Sequence, residues 1–237
     1  MRFHLMPVAL LGLTAALAGC ALPPPAARPE SALPANALRA DAGRVGVAMS
    51  PAPRADTEFP GAGRLWCLAV ASIAHGPLTD HVRTLSPHDL PTLKDRAAAL
   101  LRARGAEPVI LPEPLELRAL AFAASDAADA PDAAPRQDFR PLKSRHQIDK
   151  LLVIDIESLG VARRYSRCVA DGEPQVVFNG AIYLVDLKTN ALEWHHAVRL
   201  AQPGDANWDE WPKYPHLDAA FFKTLQMGKE ELLRPLR

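Results

Sequence analysis

The feature that most constrains the fold is an alternation of apolar and polar residues that begins at Lys150 and recurs up to Leu200. Leu152, Ile154 and Ile156 fall on one side of an extended chain, and Val153, Asp155 and Glu157 on the other. A period of two specifies a strand. Gln175 to Asp186 forms a second long run, with Phe178, Ile182 and Leu184 on one side. After the turn residues Leu187-Lys188-Thr189-Asn190, Leu192, Trp194, His196, Val198 and Leu200 alternate with Glu193, His195, Ala197 and Arg199. Two such runs around a short Thr-Asn turn predict an antiparallel hairpin.

Upstream, the pattern changes. Val45-Gly46-Val47-Ala48-Met49 is a short apolar run ended by Ser50-Pro51, which predicts a buried strand. Leu65 to Ala74 is apolar almost all round and predicts a buried helix that stops at Gly76 and Pro77. Thr79 to Leu85 adds a short helix. Leu90, Leu93, Ala97, Leu100 and Leu101 recur at three- and four-residue steps before Arg102, Arg104 and Gly105, so an amphipathic helix is expected there. Glu107 to Leu111 reads as a strand, and the order strand, helix, helix, strand favours a parallel pair joined by a right-handed crossover. Short helices are expected over 115–122 and 142–148. A longer one is expected over 217–233, with Leu217, Phe221, Leu225, Leu232 and Leu233 facing the core. Residues 123–138 are rich in Ala and Asp and hold no Trp or Tyr, which predicts a disordered surface insertion. The expected fold is one α/β domain over 44–237. Its mixed sheet is parallel in the first half and an antiparallel meander in the second, with helices packed on one face.

The N-terminus reads as an address. Arg2 precedes an apolar run from Leu5 to Leu17, too short for the roughly 20 residues that span a bilayer. Its length suits the apolar region of a signal peptide over 1–19. The run ends in Leu17-Ala18-Gly19-Cys20, which resembles the lipobox of bacterial lipoproteins. That resemblance implies lipidation of Cys20 (the palmitate type of anchor) after cleavage before it. Ala21, where Asp would favour inner-membrane retention, implies outer-membrane sorting with the domain in the periplasm. The membrane is then the first partner, held through N-terminal acyl chains. Residues 20–43, with Pro23-Pro24-Pro25, Pro29 and Pro34, read as a Pro/Ala-rich tether without an apolar period.

Cys20 leaves Cys67 and Cys168 in an oxidising compartment, where a disulfide between them persists if formed; two buried free thiols are the alternative. The chain of 237 residues carries 27 Lys+Arg against 27 Asp+Glu, which argues against a nucleic-acid partner, since that needs a clustered basic excess.

The segment AIYLVDLKTNALEW resembles the hairpin of a group of periplasmic lipoproteins. That group includes the curli-secretion lipoprotein and the amino-terminal domain of the Tol-Pal translocation protein. The resemblance implies an α/β domain that acts through protein contacts, not catalysis, and no cofactor is expected. It has no equivalent of a membrane-spanning barrel segment, so no pore is expected.

Few residues invite a chemical reading. Gly61-Ala62-Gly63 lacks the third Gly and the preceding strand of a dinucleotide loop. His195 and His196, adjacent on a strand, point to opposite faces, and His75, His81 and His88 do not have zinc spacing, so no metal is expected. Asp155 and Glu157 share a strand face about 7 Å apart. Such a pair serves an interface or, in a glycan hydrolase, acid–base work. Trp208, Trp211 and Tyr214 sit in a polar loop with Asp209, Glu210 and Lys213 and are candidate interface aromatics, unless the loop folds them onto the core. The leading expectation is a non-enzymatic envelope protein that binds another envelope protein. Glycan hydrolysis by Asp155 and Glu157, or carriage of a small molecule or lipid in an apolar pocket, are the alternatives.

Overall fold

The fold was read from a computed structural model, which describes residues 33–34, 37–38, 43–123, 137–166, 168–204, 208 and 214–237. The signal segment 1–19, Cys20, Trp211 and residues 124–136 of the expected insertion lie outside them.

The long alternating run forms the spine of the sheet. It is strand β4, Lys150–Ala162. β1 (Arg44–Met49) lies parallel to its first half, from Val45 opposite Lys150 to Met49 opposite Ile154. β3 (Glu107–Ile110) pairs in parallel with the far side of β1. On its other side β4 pairs antiparallel with β7 (Gln175–Asp186), which pairs antiparallel with β8 (Ala191–Pro203). The sheet order is β3-β1-β4-β7-β8, mixed as expected. Asn190, at φ +60°, makes the tight hairpin turn. Its side chain accepts from the Phe139 amide at 2.9 Å, which ties the turn to the chain before α4 (Pro141–His146).

Short β2 (Asp56–Glu58) lies on the same edge of β4 as β1, but further along, with Asp56 opposite Gly160. Here glycine is required. Gly160 has φ +150°, and the Asp56 carbonyl occupies the place of a Cβ, so any side chain would push β2 off β4.

One face of the sheet carries the main core. Leu152, Ile154 and Ile156 of β4 and Phe178, Ile182 and Leu184 of β7 meet helices α2 (Gly76–Val82), α3 (Leu93–Ala103) and α5 (Pro215–Leu233). α5 comes so close over the fully buried Phe178 that Gly228 has the ring where its Cβ would lie. On the opposite face, Leu151, Val153 and Val185 pack with Phe139, Leu142 and Leu115. That face is covered by α4 and irregular chain. The helix expected over 115–122 is a single 3-10 turn, Leu117–Ala119.

The strict period fails at two bulges. Ile156 opposes Gly180 and Ser158 opposes Asn179, so Glu157 is an inserted residue; Leu159 and Val161 then continue the main-core face. In β8, Leu184 opposes Trp194 and Val185 opposes Leu192, which leaves Glu193 inserted. Leu192, expected beside Trp194, therefore packs on the opposite face. Glu193 pairs with the buried Lys150 ammonium at 2.8 Å.

Two further expectations change. Leu33, Ala37 and Leu38, assigned to the tether, are buried against the main core, and the Ala37 carbonyl accepts from Lys150 Nζ at 3.1 Å. The folded unit thus extends upstream of residue 44. Helix α1 (Leu65–Ala74), expected to be buried, buries only Cys67 and Ala71. It rests on a small satellite cluster with Ala62 and Tyr165, where few side chains are available to cover it.

Candidate functional site

The most distinctive concavity follows from how β1 ends. Ser50 is the last residue of the β1 track to bond β4, its amide donating to the Ile154 carbonyl at 2.9 Å. Pro51 and Pro53 then carry the chain out of the sheet, since proline has no amide for a ladder. The chain returns to β4 only at Asp56. Between the two contacts the β4 edge is left open, and the Glu157 bulge sits in that gap.

A cleft of about 480 Å³ occupies this notch. It is lined by Asp155, Ile156 and Glu157, by Ser50, Pro51 and Pro53, and by Glu116, Leu117 and Arg118. The Ile156 side chain is buried in the main core, so its main chain is what faces the cleft. Asp155 is half-buried and accepts from Ser50 Oγ at 2.6 Å, which fixes its orientation. Glu157 is exposed on its bulge. Burial, and secondarily the Asp155 carboxylate, pushes the Tyr183 phenol well above its ordinary range, so Tyr183 stays protonated. The arrangement offers three carboxylates, one guanidinium and an open strand edge.

Asp155 and Glu157 thus do share one concavity, but Trp208 and Tyr214 do not join them. Trp208 packs partly buried against the main core, with the Arg163 guanidinium 5.7 Å from its ring centroid. Tyr214 is only 7% exposed and lies 4.8 Å from the His81 ring. As an interface residue it is corrected: the loop folds it back onto the core because a phenol ring is more stable packed than solvated. A second concavity of about 410 Å³ runs between residues 111–120 and α4, and mixes Leu115 and Leu142 with Glu113, Arg145 and His146.

Cys67 and Cys168 are joined by a disulfide, with their Cα atoms 4.7 Å apart. It ties α1 to the short pair β5 (Tyr165–Ser166) and β6 (Val169–Ala170). His195 stacks on Tyr183 and His196 on Trp194, on opposite faces of β8. His196 is buried, and its Nε2–H donates to the Glu231 carbonyl at 3.1 Å. Among the described residues no group of three or more His, Cys, Asp or Glu is placed to hold a metal ion. No helix among them is long and apolar enough to cross a membrane.

Glu116 and Arg118 carried no sequence signal; only the fold brings them to Asp155. Ser50 had one, as the residue that closes a strand ahead of proline.

No protein-family model matches the chain, and no curated protein sequence does. Among solved structures it is similar to the PelC dodecamer from Paraburkholderia phytofirmans, at 14% identity and TM-score 0.36 over 87% of this chain and 93% of that one. A Xanthomonas campestris protein of the family model DUF330 is similar at 14% identity and TM-score 0.37, over 81% of each chain. Lipoprotein GNA1162 from Neisseria meningitidis is similar at 10% identity and TM-score 0.30, over 78% of this chain and 98% of that one. These are distant likenesses, and the functional reading of the chain stands on its own residues.

Proposed function

We propose that the chain is a non-enzymatic lipoprotein, anchored through Cys20 to the outer membrane and facing the periplasm. Its α/β domain holds an extended, basic segment of another envelope protein in the notch beside β4. The observation that carries the docking reading is the open β4 edge at Ile156, flanked by Asp155, Glu157 and Glu116. An open edge offers main-chain hydrogen bonds to an added strand, and the carboxylates select its charge. The anchor reading rests on Leu17-Ala18-Gly19-Cys20.

A photo-crosslinking residue at Pro53 tests the docking. In intact cells it is expected to give one discrete adduct that Asp155→Lys with Glu157→Lys abolishes. The same adduct from Lys188, on the distant hairpin turn, or an adduct indifferent to the charge reversal, defeats the reading. For the anchor, Cys20→Ser is expected to abolish acylation.

A second reading, glycan hydrolysis, is favoured by the presence of both carboxylates in one cleft. Against it, none of the residues lining the cleft is an aromatic that stacks a sugar. Release of reducing ends from purified peptidoglycan, lost in Glu157→Gln, would establish it; no release above the buffer blank would remove it.

A further inference from the structure

Among the described α-helices, α1 exposes the largest share of its residues and is the most apolar. Its sequence, LWCLAVASIA, holds no charged residue. Leu65 is 88% exposed, Trp66 76% and Ile73 81%, with Leu68 and Val70 also exposed. Val169 on β6, next to the disulfide partner Cys168, is 67% exposed. Large side chains of this kind sum to several hundred Å² of apolar surface, above the scattered exposure that needs no explanation.

We propose that α1, with Val169 beside it, is a membrane-contacting lobe that enters the interfacial region of a phospholipid bilayer. This goes beyond the partner-docking reading and does not use the notch. Three observations favour lipid over a protein occupant.

The first is angular. At about 100° per residue, Leu65, Trp66, Leu68, Val70 and Ile73 spread over an arc of about 200°, opposite Cys67 and Ala71. A helix that seats on a protein surface presents a stripe of about 100°. An arc twice as wide is covered by a fluid that closes round the helix. The second is clearance. Gly63 before the helix and Gly76 after it have no atom within 4 Å of where a Cβ would project, so the body does not crowd the chain at either glycine. The third is reach. Leu33, where the described chain begins, follows Cys20 by 13 residues, which extend to at most about 45 Å. That matches the roughly 43 Å length of 13-residue β4, which separates the buried Leu33, Ala37 and Leu38 near Lys150 from the lobe beyond Ala162. An acyl anchor at Cys20 and the lobe can therefore meet one bilayer. The disulfide holds the helix in place, so entering lipid orders nothing new. Trp66, two residues after Arg64, has the amphipathic ring that favours the headgroup level.

The test uses the full chain as Cys20→Ser, with vesicles of phosphatidylethanolamine and phosphatidylglycerol brominated on the acyl chains. Bromine quenching of tryptophan emission is expected, and Trp66→Phe is expected to abolish it, although three other Trp remain. Leu65→Asp with Ile73→Asp is expected to weaken vesicle partitioning about tenfold or more. Both residues are exposed, so unchanged circular dichroism confirms the fold. The acylated wild type, run in parallel, separates this inference from the anchor reading: an anchor that fails makes wild type and Cys20→Ser bind alike. Quenching that survives Trp66→Phe, or no quenching in either form, overturns the lobe. So does sedimentation of Cys20→Ser as an α1-dependent dimer that ignores vesicles, or Trp66 already shielded from aqueous iodide before lipid is added.

Discussion

Helices α1 and α3 lie in the same half of the chain, with α2 between them, and end up in opposite environments. α3 carries Lys94, Asp95, Arg96 and Arg102 among its eleven residues, yet buries Leu93, Ala97, Ala98 and Leu101 in the main core. α1 carries no charge among its ten residues and buries only Cys67 and Ala71. Apolar content alone therefore did not decide burial. α3 has one apolar stripe that matches the sheet, and its charges point away from it. α1 is apolar on nearly every side, so any single packing surface leaves most of it uncovered. It also sits beyond the end of the sheet, on a satellite cluster of few side chains. A helix that is apolar all round calls for a larger apolar surrounding than this domain supplies, which is why the lobe points to lipid.

The contrast can be broken most directly by stability. Phe178→Ala, in the fully buried core under α5, is expected to cost about 3–5 kcal/mol in urea unfolding. Ile73→Ala, on the exposed side of α1, is expected to stay within about 0.5 kcal/mol. Equal losses would show that the lobe is packed as tightly as the body.

The disulfide sharpens the same contrast. Closing a separation of 101 residues, it is expected to contribute about 2–4 kcal/mol. Alkylation followed by intact-mass analysis should label Cys67 and Cys168 only after reduction. Hydrogen exchange after reduction should then rise in 65–74 while β4 and β7 stay protected. Thiols that alkylate before reduction would sink the bridge, and uniform loss of protection would merge the two regions.

The smallest effect is on pH. His75 follows α1 and stacks near Phe59. Burial, and secondarily the charge of Arg163, lowers its proton affinity below the ordinary 6.5. Above that value His75 is neutral folded or unfolded. As pH falls through 6.5 toward the lowered folded value, the unfolded form takes up the proton first and the lobe loses stability. Exchange in α1 should therefore quicken between about pH 7 and pH 5. His75→Gln should flatten that slope; a slope unchanged by the substitution assigns it to another group.

Much of the body was legible because strands and amphipathic helices have periods. The runs at Lys150, Gln175 and Ala191 became β4, β7 and β8, and the pattern from Leu90 became a 3-10 turn followed by α3. The bulge at Glu193 was not legible, because Leu192 and Trp194 still alternate around it and the insertion shows only against β7; the bulge at Glu157, where the apolar phase steps from Ile156 to Leu159, lies at the end of the run that reads as one strand. The candidate cleft was half legible. Asp155 and Glu157 announced themselves by period. Glu116 and Arg118 come from a segment about 40 residues away, and nothing local marks them.

The sequence by itself determined the mixed α/β class and the hairpin turn at Asn190, and it alone carries the proposed lipobox reading of Cys20. Each is written in contiguous residues, as a period, a turn chemistry or a motif. Only the tertiary structure decided that β1 and β2 leave a gap along β4, that Tyr214 turns inward, that Leu33 and Leu38 belong to the core and that α1 stands exposed. Burial is a property of what lies opposite a residue, and for these positions what lies opposite is distant in the chain or absent.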